Sequence, residues 1–255
     1  MGGRPFMLAA TAAAVLSLAP SAGGMQSAGG AGEPSPIETA LAVLERSSRP
    51  MAVYTAMAGT DMTVVAELSA ASIQAGRFKD GADVAVEAVS NEGTPVARAR
   101  GRIDAGAYAA LVPITIAPGT RPARVTVRLT GPPAPAVEDW VKLPATPAAL
   151  VADPLAYRSA SRIAARPVAA FEFARNERIR VEWRVLGALD RRAARLLDRR
   201  GKPLPVELPL SEDGAKKLLA VDMSLSGLGH GDYLIELTAG AGDVSERRLL
   251  AIRIK

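Results

Sequence analysis

Apolar and polar residues alternate most strictly in a short segment of the second half of the chain. In residues 178–185 (RIRVEWRV), aliphatic and Trp side chains alternate with Arg and Glu without interruption. Successive residues of a β-strand point to opposite faces, so this pattern predicts a strand with one face in a core and the other in solvent. Residues 83–90 and 123–129 alternate in the same way.

Comparable short segments recur between residues 51 and 255, and turn residues separate them. Residues 91–93 (NEG) and 198–201 (DRRG) have the composition of hairpin turns. Further strands are predicted at residues 62–69, 96–103, 107–114, 194–197, 204–208, 218–223, 233–238 and 246–254. Short strands with regular turn spacing are typical of antiparallel sandwiches. We therefore predict an all-β fold of two tandem antiparallel β-sandwich domains of the immunoglobulin-like kind.

The two halves share a layout. Residues 91–96 (NEGTPV) correspond to residues 199–204 (RRGKPL), each a Gly turn followed by a proline-led strand. Residues 106–108 (GAY) correspond to residues 231–233 (GDY), each opening a late strand with Tyr. This repetition favours two copies of one sandwich in tandem.

One short helix is predicted before the first strand. Residues 35–38 (SPIE) form a capping box with proline at the first helical position. Ile37, Leu41 and Leu44 then follow at helical spacing and form one apolar stripe. An isolated helix of this length is marginal in water, so the stripe must pack on a partner. We expect the partner to be the helix's own domain, the first sandwich; a separate partner domain is the alternative.

The beginning of the chain has the layout of a secretory signal peptide. Arg4 is followed by the uncharged apolar run 7–18 and by small residues at 19–23. The apolar run is about half the ~20 residues that a membrane-spanning helix needs. We predict a signal peptide at residues 1–24, a flexible linker at residues 25–35, no membrane span in the mature chain, and a secreted or periplasmic location.

Prolines mark the predicted boundary between the sandwiches. Residues 131–135 (GPPAP) are followed by Pro144, Pro147 and Pro154. Proline lacks the N–H that a central strand needs, and it stiffens linkers. We therefore assign the helix and the first sandwich to residues 36–131, a Pro-rich interdomain linker to residues 132–165, and the second sandwich to residues 166–255.

The composition restricts the available chemistry. The chain has no cysteine and a single histidine, His230, which excludes disulfides, thiolate metal sites and thiol catalysis. A Ser–His–Asp set can be written from Ser224, His230 and Asp232, but triads are recognised by geometry and not by proximity in sequence. With no cofactor motif and no pair of converging acids, we predict no catalytic residues, no cofactor and no enzymatic activity.

Residues 222–226 (DMSLS) match the D-x-S-x-S metal-site signature of von Willebrand A domains. A carboxylate and two hydroxyls are oxygen ligands that suit Mg²⁺. That fold needs further ligands on later loops of a parallel sheet, whereas residues 227–255 read as two strands. We therefore interpret the motif as a strand end running into a turn and predict no metal site.

Positive charge is concentrated in one part of the chain. The formal net charge is +5, but residues 158–202 hold 13 cations against five anions, a local excess of +8. Arg178, Arg180 and Arg184 share one face of their predicted strand, where they could bind phosphate or carboxylate groups bidentately. The alternative is a solvated outer face that prevents edge-to-edge pairing. Aromatic residues are too scarce for a nucleic-acid surface.

The two tryptophans differ in their surroundings. Trp183 alternates with aliphatic residues and is predicted to lie in the core. Trp140 lies in the predicted linker, where it either pins the two domains together or offers a stacking platform for a sugar.

Residues 171–185, 194–203 and 221–236 together resemble the C-terminal β-rich region of the von Willebrand A-related proteins secreted by acidobacteria. The resemblance covers about the last 100 residues, and His230 stands where the family has proline in its turn. The resemblance does not extend to the family's A domain, since the sequence shows no N-terminal α/β segment of suitable length for it. The resemblance implies an exported, non-catalytic accessory module.

We therefore predict an exported, non-catalytic interaction or scaffolding protein of the bacterial cell envelope, with a protein or another envelope component as partner. The alternative is a carbohydrate- or polyanion-binding module, with an anionic glycan as ligand. It would use the Arg-rich face of the second domain (Arg178, Arg180 and Arg184) together with Trp140. An enzyme is the third hypothesis.

Overall fold

The computed structural model describes residues 34–46, 49–144, 148–160 and 163–255. The predicted signal peptide and nearly all of the predicted linker at 25–35 lie outside these residues. Helix α1 (Pro36–Leu41) continues into a 3₁₀ turn (Ala42–Arg46), and the short helix α2 (Ala70–Gln74) follows later. The rest of the regular structure consists of strands, and the all-β prediction is confirmed.

The first sandwich encloses a core of aliphatic side chains between two antiparallel sheets. Val64, Val84, Val112 and Val127 are all fully or almost fully buried there. The strands are β1 (Met51–Ala58), β2 (Asp61–Leu68), β3 (Ala82–Val89), β4 (Pro95–Ile103), β5 (Ala109–Thr115), β6 (Arg124–Gly131) and β7 (Ala134–Lys142). A three-stranded sheet has the order β1-β2-β5, and a four-stranded sheet has the order β4-β3-β6-β7.

The second sandwich is built from two five-stranded sheets, with Trp183 fully buried between them as predicted. The strands are β8 (Leu155–Ala160), β9 (Ile163–Pro167), β10 (Glu172–Phe173), β11 (Arg178–Arg184), β12 (Arg191–Asp198), β13 (Pro203–Glu207), β14 (Leu210–Asp213), β15 (Leu218–Ser224), β16 (Gly231–Ala241) and β17 (Val244–Ile254). The two sheet orders are β14-β15-β11-β8-β9 and β10-β17-β16-β12-β13.

The strand orders are those of immunoglobulin-like sandwiches. In the second sandwich, β8, β11, β15 and β14 stand where such domains place strands A, B, E and D, and β17, β16, β12 and β13 stand at G, F, C and C′. Tyr233, near the start of β16, donates a hydrogen bond to the Gly229 carbonyl at 3.1 Å, as the tyrosine corner of that fold does. The predicted immunoglobulin-like sandwich is thus present in the topology of the chain itself.

The shared layout of the two halves holds at one of the two positions proposed for it. Residues 91–96 and 199–204 each connect the third strand of an immunoglobulin-like sandwich to the strand beside it, β3 to β4 and β12 to β13. Tyr108 and Tyr233 do not correspond, because Tyr108 precedes the fifth strand of its sandwich whereas Tyr233 begins the strand equivalent to the sixth.

The helix packs on the second sandwich, and the expectation that it docks on the first was wrong. Its capping box is formed as predicted, with Glu38 N–H donating to Ser35 Oγ at 3.2 Å and Ser35 N–H donating to Glu38 Oε2 at 2.7 Å. Leu44, which is 2% exposed, belongs to the core of the second sandwich. Ile37 lies against Gly201, where an added Cβ would come within 2.5 Å of Ile37 Cδ1.

The Pro-rich linker predicted at residues 132–165 is largely strand. β7 pairs with β6 and belongs to the first sandwich, and β8 with the start of β9 belongs to the second. Pro132 and Pro133 occupy the β6–β7 turn, and Pro135 lies in β7, which is an edge strand. A missing N–H is tolerated at an edge, so these prolines mark the rim of a sheet and not a connection between domains.

Candidate binding surfaces

Buried polar groups join the two sandwiches. Glu67 of β2 is 5% exposed, and its Oε2 accepts hydrogen bonds from the N–H groups of Ala169 and Ala170 at 2.7 and 2.8 Å. Burial raises the pKa of the Glu67 carboxyl, although Arg158 and the two N–H groups oppose the shift. This carboxylate is therefore used as a structural acceptor between the sandwiches.

A second carboxylate bridges the sandwiches at the other end of β1. Asp153 Oδ2 accepts the Met57 N–H at 3.2 Å, and Asp153 N–H donates to the Met57 carbonyl at 3.1 Å. Burial also raises the pKa of Asp153. Between these contacts, the rings of Tyr54 and Phe171 meet edge to face at a centroid distance of 4.9 Å.

Both predictions for Trp140, a pin between the domains and a stacking platform for a sugar, placed it in a linker. In the structure it lies in β7. Its side chain is 48% exposed on the outer face of the four-stranded sheet of the first sandwich. The Arg124 guanidinium lies 5.9 Å from the centre of its ring, a cation–π distance. Trp140 therefore packs within one sandwich and does not pin the two together.

The predicted arginine face of β11 is present, and each of its arginines has a carboxylate partner. Arg178 pairs with Asp222 at 2.5 Å and Arg180 with Glu182 at 2.7 Å. Arg184 reaches Asp61 of the first sandwich at 3.3 Å. Three positive charges thus face three negative ones.

Several other cations of residues 158–202 lie away from this face. Arg158 points inward and donates to the carbonyls of Ala170 and Glu172 at 3.1 and 2.6 Å. The arginines of β12 belong to the opposite sheet, since β11 and β12 lie in different layers. The positive charge of this segment is therefore not gathered on the β11 face alone.

Residues of the D-x-S-x-S match at 222–226 and of the possible Ser–His–Asp set make other contacts. Asp222 pairs with Arg178, and the hydroxyls of Ser224 and Ser226 lie 3.0 Å apart and bond to each other. Asp232 is held by Arg253, with Nε to Oδ1 at 2.6 Å and Nη2 to Oδ2 at 3.1 Å. The Arg253 hydrogen bond lowers the pKa of the Asp232 carboxyl. Asp232 thus points its oxygens at an arginine and not at a histidine.

A basic surface that sequence reasoning missed covers the outer face of the β4-β3-β6-β7 sheet, here called the groove face. It carries six cationic and three anionic side chains, a net charge of +3. The cations are Arg98, Arg100, Arg102, Arg124, Arg128 and Lys142, and the anions are Asp83, Glu87 and Glu138. The alternating arginines of β4 already indicated a basic strand face in the sequence. The cations of β6 and β7 lie on the same surface only because of the strand order of the sheet.

An open groove of ≈ 600 Å³ runs across this face. Arg100, Ala85, Arg128 and Glu138 lie side by side on four successive strands. The small Ala85 side chain forms the floor between the two arginines. On the next row, Trp140 lies beside Thr126.

Two general searches cover the described residues only. Within the described ranges, no group of three or more His, Cys, Asp or Glu side chains is arranged to hold a metal ion. Among the helices of the described part of the chain, none is long and apolar enough to cross a membrane.

Comparisons with known proteins give structural similarities alone. No protein-family model matches the chain, and a search of curated protein sequences found no match. The titin Z1Z2 domains solved with telethonin align with 82% of this chain and 95% of their own at 12% identity and a TM-score of 0.25. Bovine butyrophilin aligns with 77% of this chain and 92% of its own at 12% identity and a TM-score of 0.26. At these scores, the assignment of the fold rests on the strand order of this chain.

Proposed function

We propose that the chain is an exported, non-catalytic interaction or scaffolding protein of the bacterial cell envelope. The observation that carries the proposal is where the polar groups lie. Glu67 and Asp153 are buried and bound to backbone groups that join the sandwiches. Many charged side chains that face solvent, among them Arg100, Arg128 and Arg178, lie on open sheet faces. Such an arrangement offers surface to a partner, and it uses these two buried carboxylates as structural acceptors.

The export part of the proposal is supported by the sequence of residues 1–24, and the envelope location by the resemblance to von Willebrand A-related secreted proteins. The export claim is tested by expressing the full chain in a Gram-negative host and fractionating the cells. We expect a periplasmic or secreted product shortened by about 24 residues in intact-mass measurement. A full-length product confined to the cytoplasm would overturn the export claim.

The interaction part is tested by immobilising the processed chain and passing a solubilised envelope fraction over it. We expect selective retention of an envelope component, and lower retention by variants that reverse charge on one sheet face. Two matched pairs are available, Arg100→Glu with Arg128→Glu on the first sandwich, and Arg178→Glu with Arg180→Glu on the second. If an unfolded chain retains the same components equally well, the proposal is wrong.

The alternative, polyanion binding by the second sandwich, requires Arg178, Arg180 and Arg184 to exchange their present carboxylate partners for a ligand. Exposed ion pairs contribute about 0–1 kcal/mol, so such an exchange is energetically feasible. The prediction is tested on heparin resin, where the Arg178→Glu, Arg180→Glu variant should elute at lower salt. Unchanged elution of that variant would remove this alternative.

A further inference from the structure

We propose that the groove face of the first sandwich binds an acidic polysaccharide, a linear glycan that bears carboxylate or sulfate groups. The inference deepens the proposed function, because it names the partner chemistry of one surface of an exported interaction module. It rests on four observations: unpaired cations, an open groove, an exposed tryptophan and a preference for arginine over lysine.

The first observation is an excess of cations without carboxylate partners. Arg98 pairs with Glu87 at 2.6 Å and Arg102 with Asp83 at 2.7 Å. Among the described residues, the remaining four cations of the groove face form no ion pair. The one other carboxylate of this face is Glu138, so these four positive charges face a single negative charge. These four cations are Arg100, Arg124, Arg128 and Lys142. The β11 face differs, since there each arginine is already paired.

The second observation is the shape of the site. Arg100 and Arg128 flank Ala85 across β3, and two strand spacings separate their backbones by about 10 Å. The groove between them is open, and its lining residues lie on β4, β3, β6 and β7, so a chain-like ligand can lie across the strands. A flat bilayer would instead meet the tips of the side chains and leave the floor of the groove uncovered.

The third observation is Trp140, which lies on the groove face opposite Thr126 and two positions along β7 from Glu138, both of which line the groove. Nearly half of its side chain is exposed, and its ring already contacts the Arg124 guanidinium. An indole presents a flat apolar surface with a polar edge, which suits the C–H face of a pyranose ring. Single-stranded nucleic acid would need a series of stacking aromatics, and among the described residues of this face Trp140 is alone.

The fourth observation is that five of the six cations are arginines. The planar guanidinium donates two parallel hydrogen bonds to a carboxylate or sulfate, whereas a lysine ammonium acts as a point charge. Arg100 and Arg128, on either side of Ala85, present two such donors about 10 Å apart, and neither is paired with a carboxylate. Successive anions on a polymer can meet both guanidinium groups.

The test uses the processed chain with two probes, heparin and polygalacturonate, and neutral dextran as the uncharged control. Affinity is measured by calorimetry and by tryptophan fluorescence. Trp183 is fully buried and Trp140 is half exposed, so a ligand in the groove should change the Trp140 emission alone. We expect binding of at least one acidic probe, no binding of dextran, and weaker binding at high salt because the contacts are ionic.

The decisive variant is Arg100→Glu with Arg128→Glu, and Arg178→Glu with Arg180→Glu is the control of equal charge change. We expect the first pair to weaken binding by about tenfold or more, because each lost charge-assisted hydrogen bond removes a strong contact, and the second pair to change it much less. Trp140→Ala should lower affinity several-fold, and circular dichroism should show all variants folded. The Ala97→Glu change, which puts charge into the core-facing side of β4, serves as the reference for an unfolded protein.

Several results would overturn the inference. Equal losses in both charge-reversal pairs would show attraction by net charge alone, and a loss confined to the second pair would place the site on β11. Tighter binding to phosphatidylglycerol vesicles than to either polysaccharide, lost with the first pair, would assign the face to a membrane. Failure to bind either acidic probe would end this inference but leave the envelope-retention experiment, and with it the proposed function, intact.

Discussion

Glu67 accepts a hydrogen bond from the N–H of Ala169 at 2.7 Å, although the two residues lie 102 positions apart and in different sandwiches. The same oxygen accepts the N–H of Ala170. The segment between β9 and β10 thus has two backbone donors satisfied by a side chain of the other sandwich. A buried donor without a partner costs free energy, so this contact couples the stability of the two sandwiches.

Replacement of Glu67 by Ala should destabilise the chain by about 2–4 kcal/mol, because two N–H groups at the junction lose their acceptor. Glu67→Gln should cost less, since its amide oxygen can take the place of Oε2. Urea unfolding followed by circular dichroism gives both values. Equal losses in the two variants would show that charge, and not the acceptor, holds the junction.

Asp232→Asn should lower the free energy of unfolding by about 1 kcal/mol at pH 7, because the bidentate contact with Arg253 is lost. Arg253 holds the pKa of Asp232 below its ordinary value of 3.8. A lowered pKa in the fold means that this stabilisation is present above pH 3.8 and is lost as the pH falls through the lower folded value.

Thermal unfolding at several pH values measures that dependence. The difference between the original chain and Asp232→Asn should shrink toward zero in strong acid. Asp243→Asn, in the exposed β16–β17 turn, is the matched control and should leave the profile unchanged. A difference that stays constant down to pH 2 would contradict the ion-pair explanation.

Leu44→Ala should destabilise the chain by about 2–5 kcal/mol, as expected for a buried leucine. Leu44 is 2% exposed in the core of the second sandwich. The loss should be visible in the fluorescence of Trp183, which lies in the same core. Glu45→Ala, an exposed change one residue further on, should have little effect; a similar loss there would show that the effect of Leu44→Ala does not come from its buried side chain.

Iodide should quench the fluorescence of Trp140 and leave that of Trp183 unaffected, because only the first is accessible to solvent. In the Trp140→Phe chain the remaining emission should be blue-shifted and resistant to iodide. A Stern–Volmer titration of both chains measures this. Substantial quenching of Trp140→Phe would contradict the burial of Trp183 and the closed core of the second sandwich.

Local patterns predicted the strands well, since alternation and turn chemistry act within a few residues. Residues 178–184 form β11 with Trp183 inward, and the capping box of Ser35 and Glu38 is present. The signal peptide and the family resemblance stay predictions. The periodicity of the helix showed that Leu44 must be buried, but nothing local states which of two sandwiches buries it.

Long-range partners explain the other differences. The alternation on β11 showed a basic face, but Asp222 and Asp61, which pair with Arg178 and Arg184, come from other strands. Prolines were interpreted as a linker because sequence does not distinguish a linker from an edge strand. The groove face was missed because the cations of β4, β6 and β7 are far apart in the sequence. They come together on one surface only in the folded sheet, whose strand order is β4-β3-β6-β7.

The docking of the first helix beside the last strand has a consequence for biosynthesis. Arg253 Nη1 lies 3.5 Å from the Leu44 carbonyl, a contact between residues 209 positions apart. At ~5–20 residues per second, a ribosome needs roughly 10–40 s to produce the second of these residues after the first. Throughout that interval β17 is not yet available to the residues that follow the helix. The contact between Leu44 and Arg253 therefore forms only after β17 has been synthesised.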